Sequence, residues 1–281
     1  MPGAQRGAPV RVGVGRTGGA VRLPARVRRG VAAIVVAALL LAGCQAQQVE
    51  VSGSAPAERI TAYEAMAEKA LIQTEDLWGE DSVRRPVSVV LPATAVEFTE
   101  LTGGAAASQN APAVTVGTLA KAYIVVHPDS WDLLTPEGRQ SVLTHEVTHL
   151  SMQGDGPVPR WFGEGLAEYT AQRGAARTPV SIAGSALDPV RRDELPEAWP
   201  DPGGNAGPER TRTNAWGTYA MSWLACVYIS ERWSEEHLIG LYEEVEGGTP
   251  LPQAMQRVLG MPEDDVLTGW QVWLRALVSQ Q

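Results

Sequence analysis

The residues best suited to chemistry stand in the segment 140–150, QSVLTHEVTHL, which carries one copy of the pattern H-E-x-x-H. On an α-helix, residues four apart lie on the same face, so His145 and His149 can offer two imidazoles to one metal ion. Glu146 lies beside that pair, which is the position of a general base that acts on a water at the metal. The pattern predicts a metal site with an adjacent proton acceptor.

The flanking residues predict that this segment is helical. Thr135-Pro136-Glu137 supplies an N-cap, a proline suited to the first turn and an early acid. Apolar residues recur at helical spacing and give the helix a face to bury: Val142, Leu143, Val147 and Leu150. The competing interpretation is two incidental histidines on a solvated face, because short motifs recur by chance.

A second helix is predicted shortly after the first, in the segment 160–174. Glu164 and Glu168 are four residues apart and therefore share a helical face. Two acids at this spacing usually mark a solvated surface, but here Trp161 and Phe162 precede them and can pack. Catalytic zinc takes three protein ligands and keeps one open position, and a carboxylate is an ordinary third donor after two histidines.

Together, the two motifs resemble those of a known family. His145-Glu-Val-Thr-His149 followed by Trp161-Phe-Gly-Glu164-Gly-Leu-Ala-Glu168 resembles the gluzincin metallopeptidases, and within them the bacterial peptidase MA-like domain. The resemblance implies Zn²⁺ held by His145, His149 and Glu164, with Glu168 steadying a ligating histidine. Fourteen residues separate His149 from Glu164, fewer than in thermolysin, which keeps Glu168 as the alternative third ligand.

The resemblance also implies a donor for the oxyanion of the reaction. In related peptidases a Tyr or His downstream of the ligand helix has that role. Tyr219 is the first candidate and Tyr228 the second, both on a predicted helix over 215–232 that is apolar almost all round and should be central. The alternative for either tyrosine is a plain core position.

The first 43 residues have the composition of a secretory leader. They contain seven Arg and no acid, followed by an apolar run over 31–42, so we expect a signal peptide. Leu41-Ala42-Gly43-Cys44 resembles the lipobox of bacterial lipoproteins, which implies cleavage before Cys44 and a lipid on its sulfur. Ordinary secretion with an unmodified cysteine is the alternative.

The net charge of the chain after residue 43 limits the classes of partner that it can bind. Without the leader it has 16 basic and 32 acidic residues, a formal net charge of −16, which argues against nucleic acid. Membrane attachment would come from the lipid on Cys44.

Cys226 is expected to be a buried, inert thiol, while His127 at a strand end and His237 on a helix are not expected to bind metal.

The remaining pattern predicts an α+β fold, zincin-like by the resemblance, with a small N-terminal β-sheet, the active-site helix and a mainly helical C-terminal part. Residues 44–57 are expected to form a tether and 58–281 the metallopeptidase domain, with an irregular insertion over 175–213 that is either a lid or a disordered loop. Strands are expected at 87–91, 113–116 and 122–126, the last two as a hairpin, and helices at 58–78, 95–101, 235–246, 252–259 and 263–278.

The expected function is hydrolysis of peptide bonds in a peptide or protein substrate by a zinc enzyme anchored outside the cytoplasm, on the cell membrane. An edge strand from the 113–126 pair could bind an extended peptide, although plain sheet core is equally consistent. Two alternatives stay open: a catalytically silent zinc-holding lipoprotein that binds a peptide or an envelope partner, and an interaction protein whose H-E-x-x-H has no role. Endopeptidase and exopeptidase activity are not distinguished.

Overall fold

The computed structural model describes residues 48–104, 111–118, 121–152, 154, 156–201 and 212–279, without the side chains of 212–216. It has an α+β fold, mainly helical with one four-stranded sheet, as the sequence predicted. The strands are β1 (Val49–Gly53), β2 (Val87–Leu91), β3 (Ala113–Val116) and β4 (Tyr123–Val126). The helices are α1 (Ala57–Trp78), α2 (Ala95–Leu101), α3 (Ser130–Leu133), α4 (Pro136–Ser151), α5 (Arg160–Gln172), α6 (Pro179–Ala183), α7 (Asp188–Arg191), α8 (Arg212–Arg232), α9 (Glu235–Glu246), α10 (Leu251–Val258) and α11 (Glu263–Ser279).

The sheet has the strand order β1-β2-β4-β3. β1, β2 and β4 run parallel, whereas β3 pairs antiparallel with β4 and places Thr115 opposite Ile124. The predicted hairpin of β3 and β4 is confirmed. Gly117 turns the chain between them with φ +86°, and a Cβ there would lie 2.7 Å from the carbonyl oxygen of Lys121, so a side chain at this position would collide with the turn.

Strand β1 corrects the predicted tether over 44–57. Residues 49–53 pair with β2 along their whole length, and Val49 is buried, so the tether prediction is wrong for them. The polar, small composition favoured a linker, but the backbone N–H and C=O groups of these residues pair with β2, which lies more than 30 residues away in the chain. Residues 44–47, Cys44 among them, and the predicted leader 1–43 lie outside the described residues.

The sheet, α1 and α4 share one hydrophobic core. α1 packs against β1 and β2, and α4 packs against β3 and against α1. The members of this N-terminal core include Tyr63, Ala67 and Leu71 of α1, Val87 and Val89 of β2, Ile124 of β4, and Leu143, Val147 and Leu150 of α4. Packing on the sheet therefore fixes which face of α4 points away from it.

A second core is built around α8, which is central as expected. It begins at residue 212 rather than 215, and it packs against α5, α6, α9 and α11. Cys226 is fully buried in this C-terminal core, and burial raises the pKa of its thiol well above the ordinary value. The prediction of a buried cysteine is confirmed. Within the described ranges, no helix is both long and apolar enough to cross a membrane.

The predicted insertion over 175–213 is more ordered than expected. Residues 179–191 form α6, a 3₁₀ turn (Gly184–Leu187) and α7, so the irregular interpretation is wrong there. Trp199 stacks between Trp161 of α5 at 4.7 Å and Trp270 of α11 at 5.4 Å between ring centroids. These helices are short, so their buried apolar residues do not repeat often enough to show a helical period in the sequence. Residues 202–211 lie outside the described part of the chain.

Candidate metal centre

Helix α4 presents the histidines because its opposite face is fixed in the N-terminal core. Thr135 caps the helix by accepting a hydrogen bond from the Gly138 N–H at 3.1 Å, as its sequence predicted. The burial of Leu143 and Val147 against the sheet turns His145 and His149 toward α5.

Helix α5 carries the acids and belongs to the other core. Trp161, Phe162 and Leu166 anchor it in the C-terminal core, while Glu164 lies on the face toward α4. Gly165 allows close approach to α8, because a Cβ there would lie 2.5 Å from the carbonyl oxygen of Ser222. The contact of α4 and α5 therefore brings together candidate ligands from the two cores.

Three potential ligand atoms converge at this contact. Glu164 Oε2 lies 3.4 Å from His145 Nε2 and 3.5 Å from His149 Nε2, and the two Nε2 atoms are 3.1 Å apart. Tetrahedral zinc with bonds of about 2.0–2.1 Å separates its ligand atoms by about 3.3 Å. The three residues therefore fit Zn²⁺ in both ligand type and spacing, and within the described residues they form a group that could hold a metal ion.

Glu168 does not join the three converging atoms. Its Oε2 lies 3.3 Å from Nδ1 of His145, and its Oε1 accepts a hydrogen bond at 2.8 Å from Gln172, which also donates to Ser141 at 2.9 Å. A carboxylate that accepts from Nδ1–H leaves the Nε2 lone pair free for a metal. Sequence reasoning missed Gln172, although its i+4 spacing from Glu168 was a signal.

The electrostatics of the site favour a cation. Burial alone would lower the pKa of His145, but hydrogen bonds to Glu164 and Glu168 outweigh burial and raise this pKa to about 10. Burial would raise the pKa of Glu164, but hydrogen bonds with His145 and His149 hold it far below the ordinary value. The site therefore attracts positive charge, and a metal that binds here takes the place of a proton.

Glu146 lies beside the cluster and is itself oriented. Only 9% of the residue is exposed, and Thr115 of β3 donates a hydrogen bond to its Oε2 at 2.7 Å. The same hydroxyl lies 3.3 Å from the backbone carbonyl of Glu146. Sequence reasoning missed Thr115, because the contact between β3 and α4 joins residues 31 apart in the chain.

The two candidate tyrosines lie in different surroundings. The hydroxyl of Tyr219 accepts a hydrogen bond from Arg160 Nη2 at 3.3 Å. Burial raises the pKa of Tyr219, and the charge of Glu164 raises it further against the opposing effect of Arg160, so the phenol keeps its proton at neutral pH. Tyr228 packs against Trp233 and Trp273 in the C-terminal core.

The other two histidines, His127 and His237, lie outside this group. His127 accepts a hydrogen bond from the Asp129 N–H at 3.2 Å, and its ring lies against Phe98. His237 is exposed near the start of α9 and contacts Ser234 at 2.8 Å.

Comparison of the chain with protein-family models gives no match, and neither does comparison with curated protein sequences.

Proposed function

We propose that this protein is a zinc-dependent peptidase. The observation that carries the proposal is the convergence of His145 Nε2, His149 Nε2 and Glu164 Oε2 within 3.1–3.5 Å of one another, next to the buried carboxylate of Glu146. Three protein donors leave one position of a tetrahedral ion open, as in catalytic rather than structural zinc sites.

The reaction is hydrolysis of a peptide bond. Zinc, when bound, supplies a Lewis acid that lowers the pKa of water and polarises the carbonyl. Glu146 takes a proton from the attacking water as the new C–O bond forms. It then gives that proton to the leaving nitrogen as the C–N bond breaks. Thr115 holds the Glu146 carboxylate in place during both transfers.

Tyr219 is the proposed donor to the oxyanion. Its hydroxyl is close enough to the site for its pKa to respond to the charges of Glu164 and Glu146. A donor of this kind stabilises the transition state by about 3 kcal/mol. Tyr228, with its ring among the tryptophans of the C-terminal core, is the weaker candidate.

The proposed substrate is an extended peptide or protein segment. Among the described strands β3 pairs on one side only, with β4, and Thr115 links this strand to Glu146. A substrate added to the free edge of β3 by main-chain hydrogen bonds would run beside the general base. Such binding recognises backbone, so it suits a substrate of varied sequence.

We further propose that the enzyme acts outside the cytoplasm, attached to the membrane by a lipid on Cys44. The basic and apolar leader and the Leu41-Ala42-Gly43-Cys44 sequence support this placement.

The proposal is tested by metal analysis and peptide cleavage with the purified full-length protein. We expect one zinc per chain and new peptide termini, by mass spectrometry, in a mixed peptide library. Glu146→Gln should keep the zinc but lower the rate about 10²–10⁴-fold, whereas His149→Ala should lose both. The exposed Glu243→Gln is the control and should match the wild type.

The outcomes separate the candidate functions. Stoichiometric zinc and peptide binding without cleavage would replace the peptidase with the catalytically silent lipoprotein. If the protein binds no zinc when one equivalent per chain is supplied, the proposed metal site is wrong. Cleavage by Glu146→Gln at the wild-type rate would remove Glu146 from the role of base.

A further inference from the structure

Arg160 joins two residues of the proposed site that lie 55 positions apart in the sequence. It is the first residue of α5, one turn before Glu164. Its Nε lies 3.3 Å from Glu164 Oε1, and its Nη2 lies 3.3 Å from the hydroxyl of Tyr219. The side chain of Arg160 is 56% exposed, whereas that of Glu164 is only 14% exposed. One guanidinium therefore bridges α5 and α8 at the rim of the metal centre.

Because of the first contact, the two oxygens of Glu164 face different partners. Oε2 faces both imidazoles, at 3.4 and 3.5 Å, while Oε1 accepts from Arg160. A carboxylate with one oxygen engaged in this way offers a single atom to a metal. The arrangement would keep Glu164 from occupying the position that a catalytic zinc leaves open.

The second contact, from Arg160 Nη2 to the hydroxyl of Tyr219, determines whether that hydroxyl donates or accepts. A guanidinium has only donors, so the phenolic oxygen must accept the hydrogen bond from Arg160. The single proton of the phenol is then free for another acceptor. A planar guanidinium can donate to both partners in a fixed geometry, which an ammonium group on a flexible stem cannot reproduce.

A simple surface ion pair is the competing explanation, because exposed pairs at i, i+4 contribute little to stability. Arg192 offers the comparison: it pairs with Glu194 through Nε and Nη2, and both side chains are well exposed. Arg160 differs because its acid is nearly buried and its second partner lies on another helix.

We propose that Arg160 is a positioning residue that limits Glu164 to one metal-binding oxygen and directs the proton of Tyr219 to the oxyanion. The inference rests on the proposed function, since the oxyanion forms only if the protein hydrolyses a carbonyl substrate. Arg160 acts through Glu164 and Tyr219 and need not touch the substrate.

The experiment compares Arg160→Met, Arg160→Lys, Tyr219→Phe and the Arg160→Met/Tyr219→Phe pair, with Arg192→Met as the matched control. Zinc affinity is measured by competition with a chromogenic chelator. Both Arg160 variants should weaken zinc binding about 10-fold, the low end for loss of a group that orients a ligand. Wild-type affinity in Arg160→Lys would show that charge alone suffices and would overturn the bridging role.

Steady-state kinetics test the contact with Tyr219. Tyr219→Phe should lower kcat on the order of 100-fold with KM almost unchanged, and Arg160→Met should lower kcat about 10-fold at saturating zinc. Because Arg160 acts partly through Tyr219, the pair should lose less in kcat than the product of the two single losses. Multiplicative losses in the pair would contradict the inference.

A readout independent of activity separates this inference from the proposed function. The phenol of Tyr219 can be titrated by ultraviolet difference spectroscopy, with Tyr219→Phe as the reference. Loss of the neighbouring cation in Arg160→Met should raise the pKa of Tyr219, and Arg192→Met should not. If the wild type cleaves no peptide, the proposed function fails, whereas an unchanged phenol pKa and zinc affinity in Arg160→Met overturn the role of Arg160.

Discussion

At the scale of single residues, the two oxygens of each carboxylate at the site have different partners. Glu164 gives Oε2 to the imidazoles and Oε1 to Arg160, and Glu168 gives Oε2 to His145 and Oε1 to Gln172. Both oxygens of each carboxylate are therefore held by a neighbouring side chain, as a preorganised site requires. Residue types and helical spacing predicted the acids, but the contacts of Glu164 and Glu168 with the imidazoles depend on how α5 packs against α4.

Thr115 provides a prediction at this scale. Thr115→Val keeps a β-branched residue in β3 but removes the hydrogen bond to Glu146 Oε2. We expect kcat to fall about 10-fold, because an unheld base samples fewer productive orientations. Zinc affinity should stay unchanged, since Thr115 contacts no ligand of the proposed site.

The same substitution at the exposed Thr118 is the control and should have no effect on kcat. Kinetics with saturating zinc check the prediction. A Thr115→Val enzyme with wild-type kcat would show that the packing of α4 orients Glu146 without help from β3.

At the scale of elements, the separation of α5 and α8 decides where Tyr219 lies relative to Glu164. Gly165→Ala should push these helices apart, because the added Cβ would meet Ser222 and Cys226 at 2.5 and 2.8 Å. Overpacking of this kind costs about 1–3 kcal/mol. We expect a lower free energy of unfolding together with a lower kcat, as Tyr219 moves away from the site.

Gly163→Ala is the matched control on the same helix. A Cβ at Gly163 meets nothing within 4 Å, so this substitution should stabilise α5 by roughly 0.5–1 kcal/mol. Urea unfolding of both variants checks the pair. Equal effects of the two substitutions would mean that α8 does not pack closely on Gly165.

Arg173 and Glu235 join elements at the other end of α5. Arg173 donates to Glu235 Oε1 at 2.7 Å and to Oε2 at 3.0 Å, it also pairs with Asp76 of α1, and Tyr169 donates to Oε1 at 2.9 Å. Hydrogen bonds from Arg173 are the largest cause that lowers the pKa of Glu235. A depressed pKa means that the pair stabilises the fold above the ordinary carboxyl pKa and that this stability is lost as pH falls.

Glu235→Gln should therefore reduce the free energy of unfolding by about 1 kcal/mol at neutral pH. The difference from the wild type should shrink as the pH falls through the carboxyl range, because the wild-type acid then becomes neutral too. Urea unfolding across this pH range checks the prediction, with the exposed Glu243→Gln as control. A difference that stays constant on acidification would show that charge on Glu235 is not the cause.

At the scale of the whole molecule, the proposed site joins two hydrophobic cores. His145 and His149 come from a helix packed on the sheet, and Glu164 comes from a helix packed on α8. A metal bound by all three would cross-link these parts. Zinc should therefore stabilise the folded protein, since a ligand that binds only the folded state lowers its free energy.

The proposed lipid anchor is also a property of the whole chain. Cys44→Ala should abolish incorporation of labelled palmitate and shift the protein from the membrane to the soluble extracytoplasmic fraction. Cys226→Ala is the control, because the chain has two cysteines and Cys226 is buried. Label retained in Cys44→Ala would contradict attachment at Cys44.

The sequence by itself determined the local features of this protein. Helical period, an N-cap and i, i+4 spacing are properties of neighbouring residues, so α4, α5, their histidines and acids, and the β3–β4 hairpin were predictable. Strand β1 was not, because its pairing partner lies in β2 and its composition resembles a linker.

Tertiary structure alone decided which oxygen faces which neighbour. The distance between Glu164 and the imidazoles, the hydrogen bond of Thr115 to Glu146 and the bridge from Arg160 to Tyr219 each join elements that meet only after both cores have packed. Side-chain spacing within one helix is set by backbone geometry, whereas spacing between helices is set by the volumes buried between them.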